Sequence, residues 1–305
     1  MVRTLDKVLL ENASRLCDNV TRRGRGEKVL THVPTGFKSI DDKFGGVRFG
    51  VATELLAHTG DGKSAFLRQL AEGGAKAGAG VLWIVAEDPE DATSERQFAA
   101  DTGIDTTEIG RLDLSDPQLK QIQQSALEAG KWAKRILPIY DAQDVESVFQ
   151  LIDDTRVVGD VPLSEVIIDY AQVLGQSRNL EDDIAKLGQG LHERSRITES
   201  NPRKLATVIA SQVSNDAQKD GRDAWYKNRD ITRIRPPLNS TEWCRQLEKK
   251  CKAIWSLVRP GRWLREFGED AQDDYAELHV IKANFGPMGW AELGWDGPTC
   301  SFRNK

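Results

Sequence analysis

Ala57-His58-Thr59-Gly60-Asp61-Gly62-Lys63-Ser64 is the stretch of this sequence that decides its fold. A mostly apolar segment, residues 52–56, leads into it, and apolar residues at helical spacing follow it over residues 65–71. A glycine-rich loop between a strand and a helix directs several backbone N–H groups at one point, which suits a phosphate. The side chain of Lys63 would then reach the terminal phosphates, and the hydroxyl of Ser64 would hold Mg²⁺. Residues 57–64 therefore predict a nucleotide site for ATP and Mg²⁺.

The loop departs from the usual pattern at one position, because Ala57 stands where a first glycine is expected. The chemically demanding half, Gly62-Lys63-Ser64, is intact. A chance Gly-Lys-Ser turn is the alternative interpretation, since short motifs produce false matches. The polar residues at the predicted strand ends, described below, favour the phosphate loop.

Composition bounds the class of protein. The chain has 305 residues, of which 39% are hydrophobic and 29% charged, enough for one large domain or two small ones. No apolar run approaches the roughly 20 residues of a membrane span, and Asp6 and Glu11 interrupt the N-terminus where a secretory signal would be apolar. The four cysteines include no Cys-x-x-Cys pair, which argues against a zinc site. We therefore expect a cytoplasmic protein with no membrane partner.

The net charge of −5 argues against a uniformly basic surface. It does not exclude nucleic acid, because a ring-shaped protein can keep its cations in a channel while its outside is acidic. The local distribution of charge decides this question.

The chain divides into a short leader and a main domain. Residues 1–20 have apolar positions at helical spacing, and residues 21–27 are rich in Arg and Gly, which predicts an exposed tether. We expect residues 1–32 to be a linker helix with a flexible tether and residues 33–305 to be the main domain. Periodicity does not choose whether the helix docks on a neighbouring subunit or packs on its own domain.

The main domain alternates predicted strands and helices. Short apolar runs are typical of strands buried in a parallel sheet, and they occupy residues 81–86, 136–140, 165–169 and 206–212. Helical patterns lie between them at residues 90–102, 116–132, 145–156 and 180–199. Further strands at residues 253–258, 276–281 and 290–293 predict an antiparallel extension. The fold class is thus α/β, with a mainly parallel sheet and helices on both faces. Residues 215–240 are polar and lack apolar periodicity, so they predict a long mobile surface segment.

Three predicted strands end in polar side chains. Asp169 can orient a water bound to Mg²⁺, Glu87 can act as general base for the attacking water, and Gln212 can contact the terminal phosphate. The carboxyl ends of parallel strands are where such sheets bind ligands. Asp88 directly follows Glu87 and is the alternative base. A structural role at a strand end is the bland alternative for each residue.

Several motifs together resemble the C-terminal motor domain of DnaB-type replicative helicases, which has a RecA-like phosphate-loop NTPase core. The resemblance rests on the loop beginning with Ala57 and on residues 33–41 with Gly45-Gly46, 168–172, 210–214 and 276–289. It runs from about residue 33 to residue 302. It implies ATP-driven translocation on single-stranded DNA during DNA replication, 5′ to 3′, by a ring of six subunits with nucleotide between them. It also implies that the helix at residues 5–20 docks on the adjacent subunit, with a helicase loader or other replication proteins as partners.

The sequence departs from this family in two respects. The closing hairpin normally has Lys-x-Arg-x-Gly, whose arginine reaches the terminal phosphate of the neighbouring subunit, and here Lys282 is kept but Asn284 replaces the arginine. Either hydrolysis is slow, or Arg259, Arg262 or Arg265 substitutes for the missing cation. The family's N-terminal domain has no counterpart in residues 1–32, so primase binding does not carry over.

Two segments match the loops that line the DNA channel in the family. Residues 176–183 offer mainly Arg178. Residues 215–235 hold two aromatic residues, Trp225 and Tyr226, and six cations, which are Lys219, Arg222, Lys227, Arg229, Arg233 and Arg235. Cations that neutralise phosphate and rings that stack on bases suit a single strand. A solvated loop is the alternative, and nearby aspartates dilute the positive charge.

Two other functions remain open. Asn284 also suits a RecA-like protein that uses ATP as a switch to assemble on DNA, with little turnover. A recombinase or circadian-clock-type relative on the same core is a third interpretation, although such a family is not expected to combine residues 33–41 with the closing hairpin.

Overall fold

The computed structural model of the chain describes residues 4–27, 29–142, 144–174, 180–198, 201, 203–238, 240 and 245–305. The chain divides into two compact units, Met1–His32 and Val33–Lys305. Helix α1 (Leu5–Gly24) makes up most of the first unit. The prediction of a loose tether from residue 21 was wrong over residues 21–24, because Arg22 and Arg23 continue the helix and form its last turn, where cations are favoured.

The second unit alternates strands and helices. Its helices are α2 (Lys38–Phe44), α3 (Lys63–Ala77), α4 (Glu90–Thr102), α5 (Thr106–Arg111), α6 (Asp116–Ala133), α7 (Val145–Asp154), α8 (Leu180–Ser195), α9 (Asn215–Asn228), α10 (Arg245–Lys250) and α11 (Pro260–Glu266), with 3-10 turns at Ala171–Leu174 and Ile231–Ile234. Its strands, the first at the junction with the leader, are β1 (His32–Val33), β2 (Val47–Arg48), β3 (Val51–Ala57), β4 (Gly80–Val85), β5 (Ile136–Ile139), β6 (Val157–Val158), β7 (Val161–Asp169), β8 (Ala206–Gln212), β9 (Ala253–Val258), β10 (Tyr275–Ala283), β11 (Gly289–Asp296) and β12 (Ser301–Asn304).

One large sheet organises this unit, in the order β12-β11-β10-β9-β3-β8-β7-β4-β5. The pairs from β9 through β5 are parallel. Strands β10, β11 and β12 pair antiparallel and extend the sheet from β9. The predicted α/β class, with a mainly parallel sheet and an antiparallel C-terminal extension, is confirmed.

Helices cover both faces of the sheet. Strand β7 shows this, because successive residues of a strand point to opposite faces and those of β7 contact helices on each side. Val166 and Ile168 join a buried cluster that includes Leu187 of α8 and Ile152 of α7. Glu165 faces the other way, because a Cβ on Gly74 of α3 would lie 2.4 Å from its carboxylate oxygen. A sheet covered on both faces explains why the strands are continuous apolar runs.

The expected mobile segment at residues 215–240 is largely helical, so that prediction was wrong. Ser214 caps α9, its side chain accepting a hydrogen bond from the backbone N–H of Ala217. Trp225 and Ile234 are buried in a cluster with Trp263 and Phe267. Ala217, Gly221 and Trp225 follow one another at four-residue spacing and lie on one face of the helix. Because two of the three are small, this face is too narrow to be detected as an apolar periodicity in the sequence.

None of the described helices is long and apolar enough to cross a membrane.

A buried carboxyl beneath α3 predicts a pH-dependent stability. Glu165 is fully buried, and neither of its side-chain oxygens has a hydrogen-bond partner among the described residues; this burial raises its pKa well above the usual value. The unfolded chain then binds fewer protons than the folded chain between the ordinary pKa and the raised one, so stability falls as the pH rises through that window. We expect Glu165→Gln to raise the free energy of unfolding by about 1–3 kcal/mol at pH 8 and by much less at pH 4.

Urea unfolding at the two pH values checks this expectation. Glu181→Gln, at an exposed position on α8, is the matched control and should change stability by less than about 0.5 kcal/mol. An equal effect of Glu165→Gln at both pH values would contradict the explanation.

Candidate nucleotide site

The predicted phosphate loop joins β3 to α3 at the centre of the sheet. Its glycines Gly60 and Gly62 have φ of +86° and +87°, a left-handed backbone that favours glycine. A side chain at position 62 would also collide with Phe302 of β12, whose Cζ lies 2.7 Å from the place of a Cβ. The turn therefore needs these glycines for its backbone and for its packing.

A cavity of about 300 Å³ opens over this loop. Most of the predicted nucleotide-binding residues line it, and these are His58, Thr59, Gly60, Gly62, Lys63 and Ser64. Ala57 ends β3 in the core, and Asp61 is wholly buried beneath the loop. The remaining lining residues are Ala65, Glu87, Asp88, Arg96, Gln212, Arg259, Trp295 and Cys300.

Lys63 and Asp169 form a buried ion pair at the base of the cavity. The ammonium Nζ of Lys63 donates to Oδ1 of Asp169 at 3.1 Å, with the side chains 9% and 2% exposed. The same ammonium lies 3.6 Å from the ring centroid of Tyr170. A buried cation needs such a partner, because an unpaired charge in the interior is costly. Asp169, the strand-end residue that was predicted to serve the phosphate loop, therefore contacts the lysine of that loop.

Glu87 and Gln212, the other two predicted strand-end residues, line the same cavity as the loop. Gln212 ends β8, which runs parallel to β3 with Ala57 opposite it. Glu87 lies just beyond β4 and is exposed. Asp88 forms an ion pair with Arg96. Of the two carboxylates that the sequence left open as general base, Glu87 is the one without an ion pair among the described residues.

The loop is anchored from below by contacts that the sequence did not reveal. Asp61 accepts hydrogen bonds from Arg262 at 3.1 Å and from the indole Nε1 of Trp263 at 3.3 Å. Burial raises the pKa of Asp61 to about 7, although Arg262 opposes the shift. His58 donates from Nε2 to the carbonyl of Ile234 at 2.8 Å, and burial lowers its pKa to about 4, so the ring is neutral. These contacts tie the loop to α11 and to the turn after α9.

The three arginines proposed as substitutes for the missing finger are all engaged near their own loop. Arg259 donates from Nη1 to the carbonyl of Gly60 at 3.1 Å and pairs with the buried Asp273. Arg265 pairs with the same Asp273, and Arg262 holds Asp61. Arg259 and Arg262 therefore brace the loop, and Arg265 shares the carboxylate that holds Arg259.

The closing hairpin places its two predicted positions outside the cavity. The ammonium of Lys282, on β10, donates to the backbone carbonyl of Glu248 at 2.6 Å. Asn284 is exposed just beyond the end of β10. Lys282 therefore does not line the cavity of its own chain.

The predicted DNA-contacting cations lie on α9 or directly after it, and most of them are paired. Arg222 pairs with Glu266 at 2.7 Å, Arg229 with Glu269 at 3.2 Å, and Lys227 is 3.7 Å from Asp223. Lys219 is exposed and has no ion-pair partner in the part of the chain that the structure describes. Arg178 falls within residues 175–179 and lies outside the described residues.

The two aromatic residues of this segment differ in environment. Trp225 is 7% exposed and stacks on Phe267 with ring centroids 5.2 Å apart, so it is part of the core and does not fit the expected stacking on a base. Tyr226 is 66% exposed and remains open to solvent.

Sequence reasoning missed several residues of the cavity wall, namely Arg96, Trp295 and Cys300. Arg96 lies nine residues after Glu87, on the helix that follows β4. A cation at that place in the predicted helix was the one sequence feature that could have indicated it. Trp295 and Cys300 reach the cavity because β11 and β12 pair beside the loop, and no local pattern gives that placement.

A phosphate loop at the carboxyl edge of a mainly parallel sheet, with a carboxylate and an amide from neighbouring strand ends, defines a phosphate-loop nucleotide-binding domain. The profile of the DnaB-like helicase C-terminal domain matches residues 32–304. The chain therefore belongs to this family of DnaB-like helicase domains. No curated protein matches the chain significantly.

Solved structures agree on the fold. A structure described as an ATPase domain has a TM-score of 0.80 at 20% identity, with 100% of both chains covered. A DnaB-like replicative helicase described with its interactions with primase has a TM-score of 0.76 at 19% identity, covering 100% of this chain and 68% of that one. A KaiC-like protein, PH0186 from Pyrococcus horikoshii OT3, has a TM-score of 0.56 at 14% identity, covering 90% and 99%. At these identities the likeness shows a shared RecA-like helicase and KaiC fold.

The brace beneath the loop predicts a measurable loss of stability. Arg262→Ala leaves the buried Asp61 without its cation, and we expect the free energy of unfolding to fall by about 1–3 kcal/mol at pH 8. The fall should be smaller at pH 6, because Asp61, with a pKa of about 7, is then mostly protonated and attracts the guanidinium less.

Urea unfolding of Arg262→Ala, Asp61→Asn and the double variant measures the coupling. Arg135→Ala, which removes a surface pair with Asp160, is the control and should cost less than about 1 kcal/mol at either pH. Additive effects of the two single variants would show that Asp61 and Arg262 do not interact.

Proposed function

We propose that this chain is an ATP-driven DNA helicase motor that translocates on single-stranded DNA as a ring, most simply a hexamer, during DNA replication. The observation that carries the proposal is that the phosphate loop, Glu87 and Gln212 line one and the same cavity. Asp169 forms an ion pair with Lys63 of that loop. Family membership supports the helicase class. The cytoplasm of a bacterial or phage-infected cell is the corresponding location.

Backbone N–H groups of residues 57–64 would bind the phosphates, and Lys63 would contact the terminal ones. Glu87, exposed in the cavity and without an ion pair among the described residues, would accept a proton from the attacking water. Gln212 would contact the terminal phosphate from the end of β8 and respond to its loss. The positions of Lys63, Glu87 and Gln212 at the cavity wall support these roles.

The residues present fit a magnesium ion. Ser64, which carries a hydroxyl, lines the cavity, and Asp169 offers a carboxylate beside Lys63. Both are hard oxygen donors of the kind that Mg²⁺ prefers. When bound, the ion would neutralise charge on the phosphate oxygens.

Lys282 and the leader helix would act between subunits. Lys282 lies outside its own cavity, so it would reach the terminal phosphate bound by a neighbouring subunit. The apolar positions of α1, at helical spacing, would dock on an adjacent protomer. Replication proteins or a helicase loader are the expected further partners.

The DNA strand would pass along α9. Lys219, Arg222, Lys227 and Arg229 stand on this helix or just after it, with Tyr226 exposed beside them. Arg178, which lies outside the described residues, would contribute a further cation. Because several of these cations are paired with carboxylates, Lys219 would carry the largest share of the phosphate contact.

An ATP-switched DNA-binding protein with little turnover is the second candidate. Asn284 favours it, because an amide has no charge to offset charge that develops in the transition state. Steady-state hydrolysis with single-stranded DNA discriminates, since a switch binds ATP tightly and turns it over rarely.

Removal of the loop lysine tests the nucleotide site. We expect Lys63→Ala to weaken binding of a fluorescent ATP analogue by about a hundredfold, equal to about 2.7 kcal/mol, and to abolish DNA-stimulated hydrolysis. Lys120→Ala, on the exposed face of α6, is the control and should behave as the parent. Unchanged nucleotide affinity in folded Lys63→Ala would overturn the proposal.

Mass measurement of the same samples, with a non-hydrolysable ATP analogue and oligo-dT, tests assembly. A particle of six 34.0-kDa chains is expected. A protein that stays monomeric with nucleotide and DNA bound, and whose hydrolysis is not stimulated, would contradict a ring motor.

Salt dependence tests the DNA contact. Lys219→Ala should lower the slope of log affinity for oligo-dT against log salt by about 0.7, the contribution of one phosphate contact on a single strand. Lys120→Ala should leave the slope unchanged. An unchanged slope in Lys219→Ala would exclude this lysine from the DNA path.

A further inference from the structure

A second cavity, of about 400 Å³, lies at the edge of the sheet opposite the phosphate loop. It opens where α7 and α8 end and β8 begins, whereas Gln212, at the other end of β8, lines the nucleotide cavity. A strand rises about 3.3 Å per residue, so the length of β8 separates the two cavities by roughly 20 Å. The described residues that line the second cavity include three arginines, Arg156, Arg194 and Arg203. A cavity of this volume can hold a small molecule.

The acceptor groups that would repel an anion from this cavity are already bound. Arg194 holds the carboxylate of Asp153, since its Nη2 donates to Oδ2 at 2.6 Å and its Nε to Oδ1 at 3.1 Å. Arg203 donates from Nη1 to the carbonyl of Ile152 at 2.7 Å, and it thereby offsets the partial negative charge at the C-terminal end of α7. The amide Nδ2 of Asn201 donates to the carbonyl of Arg194, in the last turn of α8, at 2.9 Å. These contacts fix the wall of the cavity and occupy its acceptors.

Arg156 differs from the other two arginines because its guanidinium is free. Its side chain is exposed and forms no ion pair or hydrogen bond within the described part of the chain. Its backbone carbonyl accepts a hydrogen bond from the N–H of Leu163 at 3.0 Å, which anchors this position beside β7. Burial, and then the positive charge of Arg156, lower the pKa of Arg203. The two guanidiniums are therefore close enough to repel each other, and an anion bound between them would relieve that repulsion.

We propose that this cavity binds the phosphate group of a small phosphate monoester between Arg156 and Arg203. A phosphate monoester carries about 1.5 to 2 negative charges at neutral pH, so it matches two guanidiniums better than a carboxylate with a single charge does. Guanidiniums also bind phosphate oxygens through paired hydrogen bonds. None of the described residues that line this cavity lines the nucleotide cavity. The inference therefore goes beyond the proposed motor function and does not depend on it.

The rest of the wall indicates what the remainder of the ligand offers. Glu193 lines the cavity from the exposed side of α8, and its carboxylate accepts a hydrogen bond from Nε2 of Gln189. Its remaining acceptor positions suit the hydroxyl or amino groups of a ligand. Leu205 is the single apolar side chain among the described lining residues, so the wall offers little surface to an apolar ring or chain. The body of the ligand is therefore polar, as in a sugar phosphate.

Calorimetric titration of the full-length chain with ribose 5-phosphate tests this site. Ribose, which has no anionic group, and gluconate, which carries a carboxylate in place of the phosphate, are the comparison probes. We expect ribose 5-phosphate to bind with a Kd below about 1 mM. Both comparison probes should bind at least about tenfold more weakly, because they lack the paired oxygens of a phosphate dianion.

Substitution of Arg156 locates the binding. Arg156→Ala should weaken ribose 5-phosphate by at least about tenfold, since a hydrogen-bonded charge is lost, and Arg156→Lys should retain part of the affinity because the point charge remains. Urea unfolding of Arg156→Ala should match that of the parent, since the side chain is exposed and unpaired among the described residues. Arg111→Ala removes another exposed arginine, which lines neither cavity, and this matched control should bind as the parent does.

Several outcomes would overturn the proposal. Absence of ribose 5-phosphate binding by the parent would exclude the site, and parental binding by folded Arg156→Ala would mean that the ester binds elsewhere, such as at the phosphate loop. Equal binding of gluconate would show a carboxylate site, and displacement of the ester by oligo-dT would show that a nucleic-acid backbone occupies Arg156. ATP hydrolysis by Arg156→Ala should equal that of the parent, so failure of the motor function and failure of this site are separate results.

Discussion

The parallel pairing of β3 with β8, β8 with β7 and β7 with β4 is the constraint on which the site depends. Adjacent strands that run the same way end at one edge of the sheet, so residues far apart in the chain meet there. Glu87, Asp169 and Gln212 are brought to the phosphate loop by this alignment. The ion pair between Lys63 and Asp169 then joins the loop to β7 in the core.

The loop rests on a second support that is separate from the sheet edge. Asp61 and His58 connect it to α11 and to the turn that follows α9. The rings of Trp263, Phe267 and Trp225 pack these elements into one small cluster. The phosphate loop and the helix that carries most of the candidate DNA cations therefore share a common base. A displacement of α11 would therefore move both the phosphate loop and α9, because each is in direct contact with this group of residues.

The sequence predicted the parallel strands well, because a strand buried on both faces is a continuous apolar run and needs no partner to be recognised. The strand ends followed from the same runs, and so did the candidates Glu87, Asp169 and Gln212. Residues 215–240 were misjudged, since α9 is held by tertiary packing of Trp225 rather than by an amphipathic pattern of its own. Asp61 was assigned to the phosphates as part of a motif, yet its environment is set by Arg262, a residue some 200 positions away. A contact between residues so far apart in the chain cannot be inferred from the spacing of residues within a short motif.

The packing of Phe302 against Gly62 has a consequence for biogenesis. The N-terminal part of a chain leaves the ribosome first and begins to fold before the rest exists. Here β12 and the glycine turn it covers stand at opposite ends of the nascent domain, so the turn waits for the last strand to emerge. Until then the apolar side chains of β3 and α3 next to that turn lack part of their cover. The residues of the binding loop are thus synthesised well before β12, which packs against the loop. During that interval the growing polypeptide exposes apolar surface to chaperones and to aggregation.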